Sequence, residues 1–178
     1  MKLFLRVLFS IFVTGVIFIA GFCAAGSRTA DAEPTVLYSL DAKHNDLAII
    51  QAIDDADQYA YFAVYTFTET DIADALIQAK QRGIDVRGIT DRDQSAIPEE
   101  AAVLRKLRAA GISVETQKHP DGIMHMKLLV TDQAYAVGSY NWTWSATNVN
   151  DEVLEIGTDS TVREDYLAIV KKVLEANR

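Results

Sequence analysis

From Asn45 to Arg178 the sequence alternates between two hydrophobic periods, and that alternation narrows the available folds more than any other feature. In "NDLAIIQAIDDAD" apolar residues recur every three to four positions, as on a helix, whereas "YAYFAVYTF" is a β-rich run that reads as a buried strand. A second helix follows, with Thr68 or Thr70 as cap, Asp71 and Asp74 in its first turns, Ile72, Leu76 and Ala79 as its apolar residues, and Gly83 beyond its last turn. The strand "DVRGIT" comes next. Pro98 then opens a third helix, with Glu99 and Glu100 favouring its positive start, Arg105, Lys106 and Arg108 near its other end, and Gly111 closing it. "ISVET", "MHMKLLVTD", "AYAVGSYN" and "EVLEIG" read as strands, the middle two antiparallel across a tight connection at Gln133. The chain ends on an amphipathic helix with Tyr166, Ile169, Val170, Val173 and Leu174 on its apolar face. This order predicts an α/β fold, a mixed β-sheet layered by helices, in one domain.

The segment before that domain has a different character. "MKLFLRVLFSIFVTGVIFIAGFCAAG" is a positive start (Lys2, Arg6) followed by an apolar stretch, and Ala30-Asp31-Ala32 has the form that a signal peptidase accepts. Residues 1–32 are therefore expected to be an export signal, placing the mature domain, 33–178, in a secreted or periplasmic compartment. The rival reading is an uncleaved anchor, because the run from Val7 to Ala25 is close to the length of a membrane span. Cys23 is the only cysteine, so a mature chain from Glu33 has no thiol chemistry and no disulfide. It keeps 14 basic and 24 acidic residues, a net charge of −10, which is unhelpful for approaching a polyanion.

Polar chemistry is concentrated in "HMKLLVTDQAYAVGSYNWT". Strand side chains alternate faces, so His125 and Lys127 are expected on one face, and Ser139 and Asn141 together on the neighbouring strand. With 3 His, 8 Lys and 16 Asp in the chain, composition alone yields His-x-Lys-x(4)-Asp about 1% of the time. The following Gly138-Ser139-x-Asn141 makes accident rarer still.

His125-x-Lys127-x(4)-Asp132, Gly138-Ser139-x-Asn141 and Asn150-x-Glu152 together resemble the signature of the phospholipase D superfamily, above all its short single-motif members typified by the bacterial Nuc endonuclease. The resemblance implies a metal-independent phosphodiesterase with His125 as nucleophile, forming a phosphohistidine that splits one hard displacement into two easier ones. It implies that Lys127 neutralises the phosphate oxygens, that Ser139 and Asn141 donate to them, and that Glu152 orients the imidazole. Asp132 is counted with the catalytic motif, although it reads as a hydrogen-bonding strut near the turn. Because the motif occurs once, the site is expected to be completed by homodimerisation, one His125 attacking while the other acts as acid. His119 is the alternative acid.

No cofactor is implied, and no metal is required, since His44 and His119 have no ligand-like spacing to each other. The expected substrate is nucleic acid, DNA or RNA, reached through a local cationic groove from Lys118, His119, Lys127 and Arg92. A phospholipid headgroup is the alternative, which an acidic surface tolerates better; an inactive dimeric phosphate-binding module is disfavoured because each motif position carries a reactive residue type. Tyr140, Trp142 and Trp144 could stack on bases or rest against acyl chains, although Tyr140 reads better as core. Asp54, Asp55 and Asp57 read as a solvated helix end.

Overall fold

The computed structural model describes residues 33–178, so the leader, its cleavage site and Cys23 lie outside the described residues. The elements run β1 (Thr35–Tyr38), α1 (Ser39–Ala42), α2 (Asn45–Asp54), β2 (Tyr59–Val64), α3 (Thr70–Gln81), β3 (Asp85–Thr90), a 3-10 turn (Gln94–Ala96), α4 (Pro98–Ala109), β4 (Ser113–Thr116), β5 (Lys127–Thr131), β6 (Tyr135–Gly138), α5 (Trp144–Asn148), β7 (Val153–Gly157) and α6 (Ser160–Ala176). Seven strands form one sheet in the order β1-β7-β6-β5-β2-β3-β4. β2, β3 and β4 are parallel, joined through helices, while β5, β6, β7 and β1 pair antiparallel. This is the mixed α/β arrangement that the alternating periods predict.

The alternation of side chains across the sheet divides the core in two. Phe62, Val64, Leu129 and Ala136 join residues of α2, α3 and α4, including Ile49, Leu76 and Leu104, in the larger cluster. On the smaller one, Tyr61, Ala63, Leu128 and Val130 pack against Val170 and Leu174 of α6. Close approach decides one residue type: a Cβ on Gly88 would stand 2.0 Å from the Phe62 ring, so the ring lies where a side chain on β3 would be. Phe62 also meets Trp142 and Phe67, with ring centroids 5.4 and 5.8 Å away, and this aromatic cluster fixes the loop after β6 from beneath.

Three expectations are refined. Neither Thr68 nor Thr70 caps α3: Glu69 holds the N-cap position, and the Thr68 and Glu69 amides donate to the Trp142 carbonyl at 2.8 and 3.0 Å. Glu100 does not serve the start of α4 from solvent; it is fully buried, accepting from the Phe67 amide at 3.0 Å and from the Thr90 hydroxyl. Burial raises its pKa, with those hydrogen bonds opposing the rise. On α6, Val170 and Leu174 are buried, but Ile169 is 46% exposed. The acidic helix end does lie at the surface, where Asp54 pairs with Arg82 at 3.6 Å.

Candidate active site

The β-sheet ends that carry the polar motif meet at an open cavity of about 410 Å³, lined by His125, Lys127, Gly138, Ser139, Asn141 and Glu152. Strand geometry alone does not assemble it. His125 precedes β5, on an extended segment, and Ser139 and Asn141 follow β6 rather than lying within it. The backbone is nevertheless pinned on either side of His125: the Met124 amide donates to Asp91 Oδ2 at 3.1 Å, and the Met126 carbonyl accepts from the Tyr65 amide at 2.8 Å. Asp91 is buried and also accepts from the Asp93 and Gln94 amides, so one carboxylate ties this segment to the turn after β3. The imidazole is exposed at the cavity mouth.

Lys127 begins β5 and is only 7% exposed. Its Nζ donates to the His125 carbonyl at 2.9 Å and lies 4.9 Å from the centre of the Tyr65 ring. Burial lowers its pKa, and the negative charge of Glu152 opposes that shift. Gly138 allows β6 and β7 to close on each other here, because a Cβ on it would stand 2.1 Å from the Val153 carbonyl oxygen.

Two of the expected contacts differ. Glu152 makes no hydrogen bond to the imidazole of its own copy: its oxygens accept from Ser139 Oγ at 2.5 Å and from Asn150 Nδ2 at 3.2 Å. Ser139 is consequently not a free donor for phosphate, since its hydroxyl proton is directed to Glu152 while its oxygen accepts from the Val153 amide at 3.1 Å. Asn141 retains the expected capacity. Its Oδ1 accepts from the Thr66 amide at 3.3 Å, which leaves the Nδ2 donor for the cavity.

Asp132 is the third correction, because it lies outside the cavity altogether. It sits five residues beyond Lys127 along a strand, roughly 16 Å away at about 3.3 Å per residue. There Oδ1 accepts from the Asp57 and Gln58 amides at 3.0 and 3.1 Å, bracing the turn before β2. The strut that its position near the turn suggests is what the structure shows, whereas a catalytic contact within this copy is ruled out by distance. Asp132→Ala is expected to lower stability by about 1–3 kcal/mol through the two unpaired amides while leaving kcat within about three-fold; denaturant unfolding and a diesterase assay separate the two.

The sequence does not advertise Tyr65 or Ser39, and both matter. Tyr65 packs its ring 4.6 Å from the imidazole, centroid to centroid. Ser39, fully buried, accepts from the Glu152 amide at 2.9 Å and donates to the Asn150 carbonyl at 2.5 Å, clamping the segment that delivers Glu152. Neither lies in the motif, and no short-range pattern links Ser39 to residues more than a hundred positions later.

The aromatic residues separate cleanly. Tyr140 and Trp142 are each 1% exposed and belong to the core, whereas Trp144 is 66% exposed just beyond the site. His119 is exposed and shares with His125 the lining of an adjoining, mainly apolar groove of about 570 Å³ that also includes Ile123, Met126, Ile169 and Val173. Arg92 donates to the His119 carbonyl and pairs with Asp93 at 3.1 Å, so its charge is partly answered locally.

This fold has counterparts among known proteins. The crystal structure of a phospholipase D family member, Nuc from Salmonella typhimurium, superposes with a TM-score of 0.74 at 28% identity, covering 82% of this chain and 97% of that one. NucT from Helicobacter pylori gives 0.73 at 25% identity over the same shares. In sequence, a phospholipase D of Rickettsia conorii is 35% identical over 120 residues, 67% of this chain and 58% of that protein's length. A mitochondrial cardiolipin hydrolase of Xenopus laevis is 36% identical over 104 residues, 58% of this chain and 48% of its own. The chain thus spans about half the length of these curated relatives. The family model described as "Cardiolipin synthase, PLD-like domain" matches residues 49–174, from within α2 to within α6 and including every residue of the cavity, and on that match the chain belongs to the phospholipase D-like family.

Proposed function

We propose that this protein is an exported, metal-independent phosphodiesterase that cuts nucleic acid through a phosphohistidine on His125. The observation that carries this reading is the convergence of His125, Lys127 and Asn141 on one open cavity, where a nucleophile, a cation and an amide donor face the same volume. In the first step the imidazole nitrogen attacks phosphorus, the phosphorus–oxygen bond to the leaving group breaks, and that oxygen takes a proton from an acid. In the second, water gives a proton to the same group and attacks phosphorus, and the phosphorus–nitrogen bond breaks. Lys127 and Asn141 offset the charge on the non-bridging oxygens throughout.

His125 is the only histidine lining this cavity, so the acid must come from elsewhere. A second copy related by a two-fold axis supplies the partner's His125, protonated where the first is neutral. The open mouth and exposed imidazole suit an internal phosphodiester of a polymer, and the exposed Trp144 offers a face for a base.

A second reading, hydrolysis of a phospholipid headgroup, is favoured by the apolar groove that begins at His125. Names of relatives such as phospholipase D and cardiolipin hydrolase agree with it. One experiment separates the two. The 33–178 protein is expected to nick plasmid DNA in excess EDTA, with activity falling steeply as salt rises. Activity lost in EDTA and restored by a divalent ion would refute metal independence, and hydrolysis of phosphatidyl vesicles without any nicking would transfer the assignment to lipid.

A further inference from the structure

Tyr65 follows the last residue of β2 and is half-buried beside His125 and Lys127. Its ring stands 4.6 Å from the His125 imidazole, with the planes tilted by 56°, and 4.9 Å from the Lys127 ammonium. The ring is itself fixed at both ends. Its backbone amide donates to the Met126 carbonyl at 2.8 Å, and its hydroxyl accepts from Gln94 Nε2 at 3.1 Å. Gln94 is held in turn, its Oε1 accepting from the Thr66 hydroxyl at 3.0 Å.

We propose that Tyr65 is a positioning residue of this site, its ring face holding the His125 imidazole in the attacking orientation and setting the spacing between nucleophile and ammonium. The assignment deepens the phosphodiesterase reading and rests on it. Glu152 is engaged by Ser139 and Asn150, so the imidazole is oriented by an aromatic face where a carboxylate was expected. Such a face has a chemical advantage for a histidine that must be neutral in one role and cationic in another. It attracts the cation, yet it occupies neither ring nitrogen, leaving one for phosphorus and the other for solvent or the partner. The same ring also meets the Lys127 ammonium, 4.9 Å from its centre, so displacing the ring disturbs both groups together.

The test compares Tyr65→Phe, Tyr65→Leu and Tyr65→Met in the dimer, using bis-(p-nitrophenyl) phosphate as substrate and NMR of histidine labelled at Cε1, with His125→Asn to assign the resonance. The phenylalanine variant is expected to keep kcat within about three-fold. The leucine and methionine variants should lose about 30- to 100-fold in kcat with KM changed less than about three-fold, as misplacement of a reacting group does. In the NMR experiment, wild type and Tyr65→Phe should share a ring-current-displaced His125 resonance that both aliphatic variants lose. Methionine fills the ring's volume without its face, which separates positioning from packing. The resonance does not depend on turnover, so it decides the positioning even if the protein cuts no diester. Aliphatic variants with wild-type kcat and an unmoved resonance would overturn the proposal, as would equal kcat losses in the phenylalanine and leucine proteins, which would move the role to the hydroxyl.

Discussion

His125→Asn is expected to purify as a folded dimer and to lose at least about 10⁴-fold in diester cleavage, the scale on which removal of a nucleophile acts. Asparagine keeps polarity and approximate size at an exposed position, so circular dichroism and thermal unfolding should match wild type. Subunit exchange adds a second outcome. If attack requires one copy of His125 and protonation the other, then dimers mixed from equal amounts of wild type and variant retain only about a quarter of the wild-type rate, because only dimers with two histidines act. A rate of about half would mean that each copy works alone, and His119, which lines the adjoining groove with His125, would become the acid. Wild-type turnover in the homogeneous variant would remove His125 from the mechanism.

The parts of this protein that were legible in sequence are those set by local chemistry. β3 was readable to the residue because "DVRGIT" is bounded by a glycine turn on one side and an aspartate turn on the other, and Gly83 and Gly111 take the positive φ that their places after helices require. β1, α1 and α5 were not readable, being four or five residues long and defined by pairing with distant segments: β1 exists through its antiparallel register with β7. The motif points to the cavity's residues but not to the hydrogen bonds they make within this copy. A motif records which residues are close, whereas the direction of each hydrogen bond depends on elements contributed from elsewhere. Ser39 and the turn at Asn150 set the course of the Glu152 segment, and Ser139 then meets its carboxylate before the imidazole does. Tyr65 escaped notice for a related reason: in sequence it prolongs a strand, and only the β2–β5 pairing brings it beneath His125.

Lys127→Met is expected to separate activity from stability in opposite directions. Loss of the ammonium should reduce kcat by about 10²–10³-fold, as removing one preorganised charge-stabilising donor does. Stability should not follow. Burial lowers the Lys127 pKa, so at neutral pH the folded chain holds the ammonium less favourably than the unfolded chain, and the Glu152 charge offsets this only in part. A group whose pKa is lowered by folding in this way destabilises the fold while it is charged in both states, and the penalty fades as pH rises through the folded value toward the unfolded one near ~10.4. Methionine removes that penalty, so the variant's melting temperature should equal or exceed that of wild type at pH 7, with the difference narrowing under alkaline conditions. A variant that melts several degrees lower at pH 7 would show that the hydrogen bond to the His125 carbonyl and the contact with Tyr65 outweigh desolvation. The expected result instead identifies Lys127 as a residue kept for the anion it meets, in a fold that would hold together at least as well without it.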